Sequence, residues 1–261
     1  MLARAALLLA AFGMTAQAAD TVKVYAAGSL RAALTAAAAD FRAKQGADVA
    51  FEFGPSGVLR DRLAKGERAD VFASASMEHP KSLAASGLAE PVRMFARNRL
   101  CALAPARAGV TSDNLLARML DPATRLGTST PRADPSGDYA WQVFERAEKV
   151  HPGAYETLSR KALQLTGGPS SSPPPKDRTV YGALVAEGKA DIFLTYCTNA
   201  LAAVREDPTL ASIALPDALA VGAEYGLVAM KDASLAGRAF ADFLVGPEGQ
   251  RVLAAAGFAP P

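Results

Sequence analysis

The strongest constraint in this chain is an alternation. Short apolar, β-branched runs, "TVKVYAAG" (21–28), "ADVAFEFG" (47–54) and "ADVFASAS" (69–76), each yield within a few residues to helical spacing, over 30–45, 56–67 and 79–88. Strand, helix, strand with links this short requires a mostly parallel sheet covered by helices on both faces. The pattern continues with a strand at 97–105, helix 111–120, strand 125–130, helices 136–150 and 180–188, and strand 190–196. A strand at 224–230 and two helices over 234–258, broken at Gly246-Pro247, close the chain. The expectation is an α/β protein of two lobes. Residues 19–96 with a returning tail, about 226–261, form the first lobe, and 97–225 form the second.

The first residues stand outside that pattern. Arg4, the apolar "AALLLAAFGM" (5–14) and the small-residue "AQA" (16–18) read as a secretory signal peptide over 1–18. The expected location is therefore the periplasm. A formal charge of +2, with no basic block, argues against nucleic acid as a partner. In an exported chain the two cysteines, Cys101 and Cys197, are a disulfide candidate, and both fall in expected strands. Only two histidines exist, His79 and His151, neither beside a cysteine or acidic cluster, so no direct cation site and no cofactor are expected. The segment "GGPSSSPPPKDR" (167–178) cannot pack as a regular element and reads as a surface loop.

Chemistry concentrates at turns that leave a strand and open a helix. "AGSL" carries Gly28 and Ser29, "GPSG" carries Ser56 and Gly57, "ADPSGDYA" carries Ser136, and "DRTVYGAL" carries Thr179 and Val180. Any one of these hydroxyls could simply cap its own helix. Several helix N-termini meeting at one crevice would instead hold an anion through neutral donors, and the glycines would let the backbone approach it. Tyr196, ending the strand "IFLTY", could add a phenol to the same crevice. Asp134 and Asp138 flank Ser136; they suit the helix dipole, or could accept from a protonated oxyanion.

The segment "VYAAGSLRAALTAAAADFRAKQGADVAFEFGPSGVLRDRLAKGERADVFASA", with the later "GDYA", "YGAL", "DIFLTY" and "GPEGQRVLAAAGF", resembles the periplasmic molybdate-binding proteins of ABC importers, in the extracellular solute-binding protein family. The likeness covers nearly all of the chain after residue 18. It implies a type II periplasmic binding protein with a hinge, a monomer that carries molybdate or tungstate to an ABC permease at the inner membrane. By position it implies hydroxyl ligands at Ser29 and Ser56, backbone N–H ligands at Ser136 and Val180, and a tyrosine ligand at Tyr196, with Gly28, Gly57 and Thr179 as secondary candidates. Sulfate, phosphate or a small organic acid remain alternatives; the last would call on Arg97 or Arg178 to pair a carboxylate. A secreted hydrolase is disfavoured, since "GPSGV" lacks the G-x-S-x-G spacing and no base stands beside a nucleophile.

Overall fold

The structure, a computed structural model, describes residues 21–261 except 170, 172, 174, 176 and 177. The expected signal peptide and part of the Pro-rich loop thus lie outside the described residues. The chain runs β1 (Val22–Ala27), α1 (Arg31–Gln45), β2 (Val49–Gly54), α2 (Ser56–Ala64), β3 (Val71–Ser74) and α3 (Glu78–Ala85). It continues through β4 (Arg93–Pro105), α4 (Leu115–Leu120), β5 (Leu126–Ser129), α5 (Pro135–Val150), α6 (Ala154–Lys161) and β6 (Leu163–Thr166). Then come α7 (Val180–Ala186), β7 (Ile192–Tyr196), α8 (Cys197–Glu206), β8 (Leu210–Ala214), β9 (Gly222–Ala229), α9 (Leu235–Val245) and α10 (Pro247–Ala255).

The strands follow the order β2-β1-β3-β9-β4-β7-β5-β6, with β8 also on β4. Each end of this path is a parallel trio, β2-β1-β3 and β7-β5-β6. Antiparallel pairs join them in the middle. The first half of β4, Arg93–Arg99, pairs with β9, and from Leu100 onward it pairs with β7 and β8. One strand therefore belongs to both lobes. The C-terminal helices pack back on α1: Phe41 of α1 meets Phe240 and Phe243 of α9 with ring centroids 5.1 and 5.6 Å apart.

Local chemistry accounts for the helix ends. α1 stops at Gly46, which takes the left-handed conformation at φ 71° and returns its N–H to Arg42 O. α5 starts with Asp134 as N-cap and Pro135 in its first turn, and buries Ala140, Val143, Phe144 and Ala147. The break at Gly246-Pro247 falls between α9 and α10. Four elements were not anticipated: α6, β6, α8 and β8. The strands are short, four and five residues. α6 follows a Pro-Gly pair that reads as loop, and α8 follows β7 with no linking residue.

That last junction corrects the placement of Cys197. It is the first residue of α8, not part of a strand, while Cys101 lies in β4 as expected. The two are joined in a disulfide across 96 residues of sequence. The bond ties the start of α8 to the strand shared by both lobes. Closing so long a loop restricts the unfolded chain by about 4–5 kcal/mol in the chain-entropy view. The Cys101→Ala/Cys197→Ala double variant should therefore unfold at clearly lower denaturant, by up to that amount; an unchanged midpoint would contradict this account.

Candidate functional site

β1, β2 and β3 are parallel neighbours, with Ala27 opposite Gly54 and Ala26 opposite Ala73. Their C-terminal ends therefore emerge together, and the next residues out are Ser29, Ser56 and Ala75. Gly28–Leu30 form a 3-10 turn that leads into α1. Ser56 opens α2 and is buried, and its Oγ accepts from the Ala75 N–H at 3.1 Å, which leaves its own proton free to donate.

Tyr196 comes from the other lobe to the same place. It sits opposite Leu100 on β4, is buried, and donates its phenol to Ala75 O at 3.3 Å. Its ring lies 5.5 Å from that of Tyr225 on β9 and 6.1 Å from that of Tyr139 on α5. Tyr225 OH is 3.0 Å from Ser29 Oγ, and Asn98 Nδ2 donates to the same phenol at 3.4 Å. A continuous chain thus links Ser29, Tyr225, Tyr196, Ala75 and Ser56. Burial holds the phenols of Tyr196 and Tyr225 far above their ordinary range and pushes Tyr139 up to about 12, so all three stay neutral.

Ser136 is fully buried in the first turn of α5. Its N–H donates to Asp134 Oδ1 at 3.1 Å, and its hydroxyl has no partner among the described residues. This turn reaches the first lobe through its backbone: the Gly57 N–H donates to Ala133 O at 3.0 Å. Val180 opens α7 and is half-buried; the preceding Thr179 caps that helix by accepting from the Gly182 N–H at 3.3 Å. Tyr181, next in α7, has its ring 5.3 Å from Phe193 of β7.

Of the expected residues, Ser29, Ser56, Tyr196 and the Ser136 turn are drawn into one seam between the lobes, with Gly57 inside it. Val180 and Thr179 are not drawn into it by any hydrogen bond among the described residues: they open α7, where the Thr179 N–H donates to Glu206 Oε2 at 2.7 Å at the far end of α8. Two readings change. Thr179 spends its hydroxyl on its own helix. Gly57 is needed for approach of protein backbone, since a Cβ there would lie 2.4 Å from Arg132 O and 2.8 Å from Ala133 O; Gly28 has nothing within 4 Å. Asp134, expected at the helix dipole, is the α5 cap, and Asp138 accepts from the Arg132 N–H at 2.8 Å. Arg178 is bound to Glu187 at 2.6 Å, and Arg97 donates to Pro260 O at 3.3 Å.

Sequence reasoning missed Tyr225, Tyr139, Asn98 and Ala75. Nothing local marks them, because Ser29 and Tyr225 are 196 residues apart and meet only when β9 inserts between β3 and β4. Beside the seam, a hollow of about 390 Å³ is lined by Ser76, Lys81, Arg97, Asn98, Tyr139 and Glu224 among others. Among the described residues no group of His, Cys, Asp and Glu could hold a metal ion, and no helix is long and apolar enough to cross a membrane.

Residues 22–259 match the profile of the bacterial extracellular solute-binding proteins. An uncharacterised protein of Pasteurella multocida is 36% identical over 241 residues, covering 92% of this chain and 98% of its own. The molybdate-binding protein ModA of Mycobacterium bovis is 28% identical over 259 residues, covering 94% and 87%. In structure, the sulfate-binding protein SubI of Mycobacterium tuberculosis superposes with a TM-score of 0.76 over 92% of this chain and 86% of its own, at 16% identity.

The backbone contact at Gly57 yields a test of the seam. Gly57→Ala should force Arg132–Ala133 away and cost the closed arrangement about 1–3 kcal/mol. Small-angle scattering should then give a larger radius of gyration for Gly57→Ala than for wild type or Gly28→Ala. Equal radii in all three proteins would count against the contact.

Proposed function

The chain belongs to the bacterial extracellular solute-binding protein family, and from that premise we propose that its interlobe seam captures a tetrahedral oxyanion, molybdate or tungstate, in the periplasm and delivers it to an ABC permease. The observation that carries this reading is the convergence of neutral donors. Ser29 and Ser56 at two neighbouring strand ends, Tyr196 from the other lobe and the start of α5 meet along one seam of hydrogen bonds and ring contacts. None of these residues is bonded to a lysine or arginine side chain among the described residues. A proton-free dianion offers only acceptors, so a set of hydroxyls, phenols and helix N–H groups suits it without burying a cation.

In this proposal the lobes are 19–96 with about 226–261, and 97–225, and they hinge where β4 changes partners between Arg99 and Leu100. The anion meets the strand ends of the first lobe, the second swings over it, and the seam's own hydrogen bonds are exchanged for bonds to the cargo. The Mycobacterium bovis relative binds molybdate by its name, which favours that ion. The organic-acid alternative loses ground because Arg178 and Arg97 are engaged with Glu187 and Pro260 O. In this proposal the protein binds its solute and hands it on unchanged, as solute-binding proteins of this family do.

Calorimetry of the purified protein with molybdate, tungstate, sulfate and phosphate tests this. Molybdate and tungstate should bind most tightly, and tightest binding of sulfate would move the reading to the alternative ion. Ser29→Ala and Ser56→Ala should each weaken binding by about 1.5–3 kcal/mol, the usual worth of a bond to a charged group. Arg178→Ala should leave it nearly unchanged. Absence of heat with all four ions would refute the oxyanion reading.

A further inference from the structure

Resting on that reading, we propose that Asp134 selects the cargo by its proton: the site takes up an oxyanion together with one hydrogen ion, shared between the anion and the Asp134 carboxyl. The geometry behind this is a conflict over one donor. The Ser136 N–H lies at the positive end of the sixteen-residue α5, in the turn that touches the first lobe, and the Asp134 carboxylate already accepts from it. An incoming dianion and an ionised carboxylate are both acceptors, and they repel each other at this distance. The Ser136 hydroxyl beside it is fully buried and has no partner among the described residues, so the turn retains a donor that its own protein does not use.

Among the described residues the surroundings of Asp134 contain no counter-charge. Ser129 on β5 is near enough to bond it, and Ser129 in turn bonds Thr166 of β6 at 2.9 Å. Gly167 lies against it so closely that a Cβ there would be 2.5 Å from the Asp134 Cβ. Tyr181 from α7 and Tyr196 from β7 face it as neutral phenols, and on its own helix Asp138 adds a like charge. No lysine or arginine side chain pairs with it among the described residues. Burial, opposed by the bonds from Ser136 and Ser129 and aided by Asp138, lifts Asp134 to about 6. A dianion arriving at the same donors would raise it further.

Two forms of cargo satisfy the arrangement. A proton-free dianion enters when Asp134 becomes a carboxylic acid, which turns one acceptor into a donor. A singly protonated oxyanion such as hydrogen phosphate brings its own proton and donates it in a hydrogen bond to the ionised Asp134. In both cases one proton stands between carboxyl and anion.

The test is calorimetry with sodium molybdate and with inorganic phosphate, from pH 5 to 8, in pairs of buffers with different ionisation enthalpies. Wild type should take up close to one proton per molybdate at pH 7.5, and its molybdate affinity should fall by about tenfold per pH unit above 6. Phosphate at pH 7.5 should bind without proton uptake. Asp134→Asn keeps a capping side chain, so the helix start survives. It should abolish the uptake, flatten the molybdate profile and weaken phosphate; Asp138→Asn should keep the coupling. Binding of molybdate by wild type with no proton uptake and equal affinity at pH 5.5 and 8 would overturn the role of Asp134 while leaving the oxyanion reading intact. Binding of neither ion by wild type or Asp134→Asn, at any pH, would bring down both. Binding by Asp134→Asn alone would show that the carboxyl excludes both ions even when protonated at pH 5, and would overturn the shared proton.

Discussion

A single strand that serves two sheets is the constraint from which the rest of this molecule follows. Over its first seven residues β4 is paired to β9, and from Leu100 to β7 and β8. Because β7 is anchored to it at Leu100↔Tyr196, the end of β7 has no freedom to point elsewhere. The disulfide one residue on, between Cys101 and Cys197, and the Asn98–Thr198 bond at 2.8 Å fasten the start of α8 at the same level. Tyr196 is thus held from three sides by elements that bridge the lobes. A tyrosine so placed reports the relative position of both halves, and that is why its phenol finds Ala75 of the first lobe.

The fold was largely legible because strand-to-helix exits leave a local mark. Gly28-Ser29 and Pro55-Ser56 sit where hydrophobic period changes from two to 3.6, and the structure brings both to one sheet edge through the pairing of β1 with β2. What sequence could not carry was partnership over distance. Tyr225 reads as an ordinary strand residue until β9 is seen lying antiparallel between β3 and β4. Cys197 reads as strand because an apolar run continues past Tyr196, yet the helix begins at once, with Tyr196 itself in extended conformation as its cap. The occupation of the Ser136 N–H by Asp134 was legible as chemistry, since aspartate is a preferred cap. The proposed competition with an anion for that donor was not, because it depends on the turn meeting Gly57 of another element.

The electrostatic character of the seam is set by what burial does to its groups. Phenols in such a place remain protonated, and the hydroxyls of Ser29 and Ser56 carry no charge at all. The cations of the adjoining hollow are engaged elsewhere, Lys81 with Glu78 at 3.3 Å and Arg97 with the carbonyl of Pro260, and Arg178 is bound to Glu187. An anion entering here would be held by oriented dipoles whose desolvation is less costly than that of a lysine or arginine. Asp134 is the exception among neutral neighbours. An acidic group with no counter-ion among the described residues, set on a helix terminus that favours negative charge, is tolerated as a cap and would become a liability if a second negative group arrived.

The proposed function requires the seam to open and close, and its energetics suit that. The contacts that bring the lobes together at these residues are few and neutral: the Gly57 N–H to Ala133 O at 3.0 Å and the Tyr196 phenol to Ala75 O at 3.3 Å. Neutral hydrogen bonds of this kind contribute roughly 0.5–1.5 kcal/mol each, so the pair holds the seam by only about 1–3 kcal/mol. Bonds from the same groups to a charged oxyanion are worth roughly 1.5–3 kcal/mol each. A cargo that recruits even two of them outweighs the contacts it displaces, and one that recruits donors from both lobes favours closure by the difference. A tighter seam, with a side chain or an ion pair at Gly57, would remove that margin. In the proposed function, the bare backbone contact at position 57 is what would let a small inorganic ion govern closure.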